Sequence, residues 1–273
     1  MKKPSPQQIQ NATKQAAEIL YTARGIATPR KYTAAIIAAA GNSTRMGGDV
    51  SKQRMLLRGI PVLAHTLLAY QRAQTIHEII VVGKAEDFPA YREMAKAHGI
   101  TKLRVLSEGG ATRQESVLCG LKQVSKCTKY VAIADGARCL ITPQQIEAVC
   151  HTAYRTGAAT AATPATDTVK IADKMRFIEK TPDRSTMWMA QTPQVFDYTL
   201  YHAAAYYALE KEFEATDDNS LIEFINRRVK LVDCGRENIK ITTPVDLIIA
   251  EAILAAREQE SAVKAVKEDC AHE

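Results

Sequence analysis

The run Ala34-Ala35-Ile36-Ile37-Ala38-Ala39-Ala40-Gly41-Asn42-Ser43-Thr44-Arg45-Met46-Gly47-Gly48-Asp49-Val50-Ser51-Lys52-Gln53 decides how this chain is read. Ala34 to Ala40 is a short apolar run of the kind that forms a buried strand. It empties into a loop of small and polar residues closed by two cations, Arg45 and Lys52. Glycine and alanine leave no bulk in the way, so backbone N–H groups there can approach phosphate oxygens closely. Arg45 and Lys52 add fixed positive charge where an anion would sit. Taken alone, such a loop is equally an ordinary surface turn, so the rest of the chain has to decide.

Outward from that loop, strand and helix patterns alternate. Val62–Gln74 reads as a helix, Glu78–Gly83 as a strand, Ala85–His98 as a helix, Lys102–Leu106 as a strand and Thr112–Val124 as a helix. Tyr130–Ala134 is a further buried strand that ends at Asp135-Gly136-Ala137-Arg138, followed by a helix at Pro143–Thr156 and a small-residue strand at Ala158–Ala162. This order predicts an α/β fold, a Rossmann-like, mostly parallel sheet flanked by helices. Ligands of such sheets gather beyond the carboxyl ends of the strands. Both the Gly41–Lys52 loop and Asp135–Arg138 fall at such ends, which predicts one shared cleft.

The alternation breaks at 163–190. Thr166–Ile171 and Met175–Lys180 alternate polar and apolar residues around Ala172-Asp173-Lys174, a hairpin pattern. An isolated hairpin is only marginally stable, so this β-arm needs a surface to lie against, and a partner subunit is the natural one. Helices follow near 197–211 and 217–227, a strand at Val229–Asp233, the stretch Asn238–Thr242, and a helix from Pro244 to about Arg257. The domain is expected to span 33–257, with a charged tail at 258–273.

The 273 residues carry a net charge of +6, which would suggest nucleic acid if it were spread over the surface. Residues 1–32, however, hold Lys2, Lys3, Lys14, Arg24, Arg30 and Lys31 against the single acid Glu18, leaving the remainder with only +1. The body therefore lacks the electrostatic footprint of a DNA- or RNA-binding protein. No apolar run is long enough to span a bilayer. Six scattered cysteines without metal-ligand spacing are expected to be reduced thiols in a cytoplasmic protein. Within the extension, Ile9, Ala12, Ala16, Ile19, Leu20 and Ala23 recur at helical spacing, with Ser5 and Pro6 suited to the first turn and Gly25 to the end. A basic helix docked on its own body or on a partner is the first reading of 4–24. A targeting segment is the second and a membrane-surface helix the third.

The chemistry follows by exclusion. Ser43 breaks a dinucleotide-binding glycine fingerprint, and Gly83-Lys84 stands where a ribose-binding acid would be needed. The loop also lacks the Gly-Lys-Ser/Thr ending of a phosphate-cradling NTPase. What remains is an anion loop with two cations and a carboxylate, Asp135, on a neighbouring strand end. Those parts suit in-line substitution at phosphorus, with Mg²⁺ bridging phosphate oxygens and the acid.

The loop A-A-A-G-N-S-T-R-M-G-G-D-V-S-K-Q resembles the signature loop of nucleotidyltransferases that join a nucleoside triphosphate to a phosphorylated sugar or polyol. With G-G-A-T-R-Q-E-S-V at 109–117, D-T-V-K at 167–170, P-D-R-S-T-M-W-M-A-Q-T-P-Q-V-F at 182–196 and N-I-K-I-T-T-P-V-D-L at 238–247, the chain is similar to the 2-C-methyl-D-erythritol 4-phosphate cytidylyltransferase family over about 33–257. The resemblance implies that CTP and a polyol phosphate are the substrates and that Mg²⁺ or another divalent cation assists. It makes Arg45 and Lys52 the catalytic cations. Ala39, Ala40, Gly41, Asn42, Gly110 and Ser116 would hold the nucleotide. Asp135 would lie near the metal and the polyol, with Glu237 as a second metal candidate, and Arg138, Thr192 and Lys240 would position the acceptor. Thr168 and Arg184 would reach the acceptor site of the other subunit, implying a homodimer with composite sites.

The chain departs from the family pattern at several points. Ala134 and Cys139 stand where the family usually has His and Pro around Asp135 and Arg138, Ser43 replaces a common glycine, and Ala111 stands where an acid is often found. No charge required for the chemistry is lost. Competing readings are a ribitol-5-phosphate cytidylyltransferase, a guanylyltransferase of the molybdenum-cofactor type, which would leave the arm and Asn238-Ile239-Lys240 without a role, and a catalytically weak nucleotide-binding regulatory protein.

Overall fold

The structure is a computed structural model that describes residues 31–41 and 52–269, the last nine by backbone alone. Eleven strands and seven α-helices follow one another among these residues. The strands are β1 (Thr33–Ala38), β2 (Leu56–Leu57), β3 (Ile60–Pro61), β4 (Glu78–Gly83), β5 (Leu103–Glu108), β6 (Tyr130–Asp135), β7 (Ala158–Pro164), β8 (Ile171–Ala172), β9 (Ile178–Lys180), β10 (Trp188–Asp197) and β11 (Lys230–Asp233). The helices are α1 (Val62–Arg72), α2 (Phe88–Ala97), α3 (Arg113–Leu121), α4 (Pro143–Thr156), α5 (Tyr198–Glu210), α6 (Asp218–Phe224) and α7 (Pro244–Asp269).

Seven strands form one sheet in the order β11-β7-β10-β6-β1-β4-β5. β1 lies parallel to β4 and β6, β4 to β5, and β7 to β11. Only β10 runs antiparallel, between β6 and β7. Side chains of successive strand residues point to opposite faces, and both faces are covered here. Ala35, Ile37, Ile79, Val81, Ala132, Ala134 and Val195 pack with α1, α2 and α4 on one side. Ala34, Ile36, Ile80, Val82, Val131, Ile133 and Phe196 pack with α3, α5 and α6 on the other. Burial on both faces explains why these strands read as continuous apolar runs. A third cluster, with Leu57, Val62, Leu140, Ile241 and Ala250, seats α7 beside the strand ends.

The helix starts are written in the sequence. Thr112 and Glu115 form a capping box at α3, and Thr142 and Gln145 form one at α4, where Pro143 occupies the first turn. Each box satisfies two orphan backbone donors. α4 ends on Gly157 in a left-handed conformation (φ 82°). At Gly120 a Cβ would stand 2.6 Å from Ile36 Cγ2 and 2.8 Å from Val82 Cγ2. The absence of a side chain there lets α3 lie directly on β1 and β4.

The end of the last helix and the extent of the hairpin differ from expectation, and two stretches for which the sequence predicts no element find their place. The segment 192–196 belongs to a ten-residue strand, Trp188–Asp197, whose antiparallel direction is set by pairing with both neighbours rather than by its own pattern. Asn238–Thr242 forms no regular element; it is a loop held by side chains. The last helix does not stop near Arg257 but continues to Asp269, because Ala262, Val263, Ala265 and Val266 keep helix-compatible residues running past the charged stretch. In the 163–190 region a two-stranded ladder joins Ile171 to Lys180 and Ala172 to Ile178, shorter than the expected hairpin. The extension 1–30 lies outside the described residues.

Candidate active site

A cavity of about 210 Å³ opens at the carboxyl ends of β1 and β6. Ala40 and Gly41 form one side, and Gly110, Arg113 and Ser116 another. Lys52, Asp135 and Lys240 complete the polar wall. Asp135 is the last residue of β6, and its backbone N–H is tied down by Thr192 Oγ1 at 3.0 Å. Asp135 is 8% exposed, and its carboxylate faces three cations: Lys240 Nζ at 3.0 Å, Arg138 Nε at 3.4 Å and Arg113 Nε at 3.9 Å. Burial pushes this carboxyl up, but the charges of Lys240, Arg113 and Arg138 outweigh it and hold the group below its ordinary value. Asp135 is therefore ionised at neutral pH.

Lys240 is placed from both sides. Asn238, fully buried, donates to Gln191 Oε1 at 2.9 Å and to the Thr192 carbonyl at 3.0 Å, and the Ile241 N–H reaches the Ala137 carbonyl at 2.8 Å. The loop is thus sewn to β10 on one flank and to the chain after β6 on the other, which aims Lys240 at Asp135. Arg138 is committed elsewhere as well. It donates to the Asn238 carbonyl at 2.8 Å and to the Ala190 carbonyl at 3.4 Å. It braces the Lys240 loop, and it does not line the cavity.

The turn before α3 is shaped for close approach. Ser116 Oγ donates to the Thr112 carbonyl at 2.8 Å and accepts from the Gly110 N–H at 3.1 Å. The Glu115 carboxylate accepts from the Ala111 N–H at 2.7 Å. A Cβ on Gly110 would lie 2.4 Å from Glu115 Cβ, so only glycine fits against the folded-back capping box. Gly110 and Ser116 line the cavity, with Ser116 also stapling the turn. Ala39, by contrast, points into the core, and its N–H bonds the Val82 carbonyl at 2.7 Å.

Arg113, within the 109–117 motif, also lines the cavity, a role that the sequence alone does not assign to it. It is the first residue of α3, where the helix dipole disfavours a cation. Two carboxylates offset this: Asp218, at 2.7 Å from Nη2, and Asp135. Burial lowers the guanidinium pKa, and the charges of Asp218 and Asp135 reverse this and raise it. Asp218 is 1% exposed and also accepts from the Tyr201 hydroxyl at 2.6 Å. The Thr112-x-x-Glu115 box was the available signal, since it fixes the helix start and so puts Arg113 beside the strand ends. Asp218 and Tyr201 had no such local signal.

Other expected residues fall away from the cavity. Glu237 is not among its lining residues; Arg257 of α7 holds it, with Nη2–Oε2 at 2.7 Å. Thr168 and Arg184 lie in the exposed 163–190 segment, Arg184 donating to the Thr166 carbonyl at 2.9 Å. Arg45 and Asn42 lie outside the described residues. Among the described residues no group of three or more His, Cys, Asp or Glu side chains could hold a metal by itself. A lone hard carboxylate beside cations suits Mg²⁺ only when phosphate oxygens supply the remaining ligands, and Asp135 is the carboxylate on the cavity that can do so. Buried thiols offer no nucleophile: burial pushes Cys139 and Cys150 up to about 12.

A wall of Lys52, Arg113 and Lys240 offers positive charge to a polyphosphate, and the phosphorus chemistry it supports asks for alignment and charge rather than covalent help. On a parallel α/β sheet this makes the protein an α/β nucleotidyltransferase. The family model for 2-C-methyl-D-erythritol 4-phosphate cytidylyltransferase matches residues 33–256. A Pelotomaculum thermopropionicum protein of that name is 41% identical over 226 residues, covering 82% of this chain and 95% of its own length. One from Synechococcus is 43% identical over 222 residues, covering 81% and 99%. The crystal structure of 4-diphosphocytidyl-2C-methyl-D-erythritol synthase from Anaerococcus prevotii superposes with a TM-score of 0.74 at 33% identity, over 83% of this chain and 97% of that one. The chain belongs to the 2-C-methyl-D-erythritol 4-phosphate cytidylyltransferase family.

Proposed function

We propose that the enzyme joins CTP to 2-C-methyl-D-erythritol 4-phosphate, giving 4-diphosphocytidyl-2-C-methyl-D-erythritol and pyrophosphate for isoprenoid precursor synthesis. The observation that supports this best is the cavity whose wall brings Lys52, Arg113 and Lys240 together with the ionised Asp135. A phosphate oxygen of the acceptor attacks the α-phosphorus of CTP in line, forming one P–O bond as the bond to the pyrophosphate oxygen breaks. Lys52, with Arg45, stabilises the negative charge that grows on the α-phosphate and the leaving group. The Gly110–Ser116 turn and Ala40–Gly41 present small residues and backbone groups to the nucleotide. Lys240, oriented by Asp135, receives the acceptor phosphate. Mg²⁺ held by Asp135 and the triphosphate oxygens would neutralise charge on the phosphates.

The test is pyrophosphate release from CTP, GTP or UTP paired with methylerythritol phosphate or ribitol 5-phosphate, with and without Mg²⁺. Turnover is expected with CTP and methylerythritol phosphate. Preference for ribitol 5-phosphate would replace the acceptor, and nucleotide binding without turnover would favour a regulatory protein.

The protein is further proposed to act as a homodimer in the cytoplasm. Met175, Phe177, Ile178 and Met189 are between 59% and 75% exposed in the 163–190 segment, an apolar load that a second copy would cover. Arg184 would then serve the neighbouring site. A native mass equal to one chain would count against this.

A further inference from the structure

Strand β10 loses register in its middle. Ala190 faces Ala162 of β7 and Gln194 faces Thr160, so Gln191, Thr192 and Pro193 together stand against the single residue Ala161. Pairing with β6 begins only at Gln194. The bulge is nonetheless interior: Gln191, Thr192 and Gln194 are all buried. A bulge re-aims side chains out of the ladder, and buried amides persist where they are hydrogen-bonded.

The two glutamine amides are committed to different loops. Gln191 Oε1 accepts from Asn238 Nδ2 at 2.9 Å, and its Nε2 donates to the Gly235 carbonyl at 2.9 Å. It thus grips the chain between β11 and Lys240 at two points. Asn238 Oδ1 has no hydrogen-bond partner among the described residues, which leaves Nδ2 to hold that side chain. Gln194 bonds elsewhere. Its Oε1 accepts from the Asp218 N–H at 2.9 Å, and its Nε2 donates to Asp217 Oδ2 at 2.8 Å. That seats the start of α6, where Asp218 holds Arg113 at 2.7 Å. Between the two amides, Thr192 Oγ1 accepts from the Asp135 N–H at 3.0 Å.

We infer that Gln191 and Gln194 are positioning residues of the reaction, and that the bulge they frame sets Lys240 and Arg113 at the two oxygens of Asp135. Gln191 acts through Asn238 on Lys240, and Gln194 acts through Asp218 on Arg113. Neither glutamine lines the cavity. The side chains of Arg113 and Lys240 are 33% and 38% exposed, so without a buried framework behind them such long cations would swing in solvent. Holding them in place beforehand spares the ordering cost when substrate arrives. On the proposed reading of the two substrates, on which this assignment rests, Lys240 meets the acceptor phosphate and Arg113 the triphosphate. The two glutamines therefore serve different substrates.

Binding calorimetry on the full-length chain separates the two arms. Gln191→Met and Gln194→Met keep the side-chain length and remove the amide. Gln194→Met is expected to weaken CTP binding about tenfold, the order for a hydrogen bond that holds a charged group, and to leave acceptor binding unchanged. Gln191→Met is expected to do the reverse. Methylerythritol phosphate, titrated in the presence of saturating α,β-methylene CTP, which cannot release pyrophosphate, should bind about tenfold more weakly while CTP binding stays as it was. A merely structural role would not divide the substrates in this way. Gln194→Met should have no further effect on CTP in an Arg113→Ala background, and Gln191→Met none on the acceptor in a Lys240→Ala background. If either variant melts below the assay temperature, Gln191→Asn or Gln194→Asn takes its place, since it withdraws the amide from its partner but keeps a polar group in the pocket. Equal losses for both substrates, or no loss, in variants that melt with the wild type would overturn the positioning role alone. A wild type that binds neither ligand would overturn the proposed function and the positioning role with it.

Discussion

Asp135 is the residue on which the cavity's electrostatics turn. Its pKa is depressed, so its ionised form stabilises the fold above the ordinary carboxylate range, and this contribution disappears as the pH falls through the lowered value. Thermal melting of the wild type is therefore expected to worsen on acidification more steeply than that of Asp135→Asn; parallel curves would show that Lys240, Arg113 and Arg138 do not hold it. Lys52→Ala is expected to lower kcat/KM by about 10²–10³-fold, the cost of losing one charge-stabilising group in the transition state, with melting unchanged. Asp218→Asn should act differently. It leaves Arg113 without its buried partner, at a cost of about 3 kcal/mol in denaturant unfolding, and raises KM for CTP as the guanidinium moves. An unaltered KM would mean that Arg113 is structural only.

The turn into α3 and the packing of that helix are the local devices that shape one side of the cavity. Thr112→Ala removes the capping box and is expected to cost about 1 kcal/mol of stability. Gly120→Val would drive a branched side chain into Ile36 and Val82, whose Cγ2 atoms already lie within 2.8 Å of an added Cβ. The expected loss is about 1–3 kcal/mol by chemical denaturation, and a neutral result would show that α3 can lift off the sheet. Much of this was legible beforehand. The Thr-x-x-Glu and Thr-Pro-x-Gln patterns announce helix starts, and α4 occupies the residues its pattern predicts. β10 was not legible in full. Trp188, Met189 and Ala190 pair with β7 residues Pro164, Thr163 and Ala162, and a strand whose first half is exposed and second half buried has no single period to read.

For the assembled protein, the proposed composite site makes a quantitative demand. Lys52→Ala and Arg184→Ala chains, each inactive alone, should regain about a quarter of wild-type activity when mixed and re-equilibrated, because half the dimers are mixed and each of those rebuilds one of two sites. No recovery would place Arg184 outside the partner's site.

What the sequence determined by itself was the rhythm: apolar runs buried on both faces, helices started by side-chain boxes, and a small-residue loop leaving the first strand. These are local properties, set by the period of hydrophobic residues and by capping chemistry within a few positions. Tertiary structure alone decided which distant groups meet. Lys240 stands 3.0 Å from Asp135 because Asn238 is sewn to β10 and Ile241 to Ala137. Glu237, one residue before Asn238, turns to Arg257 instead. Arg113 becomes part of the site because Asp218, more than a hundred residues later, is buried beside it. Such convergence depends on the order of strands in the sheet and on the burial that strengthens each charge, and neither is encoded in the spacing of any one stretch.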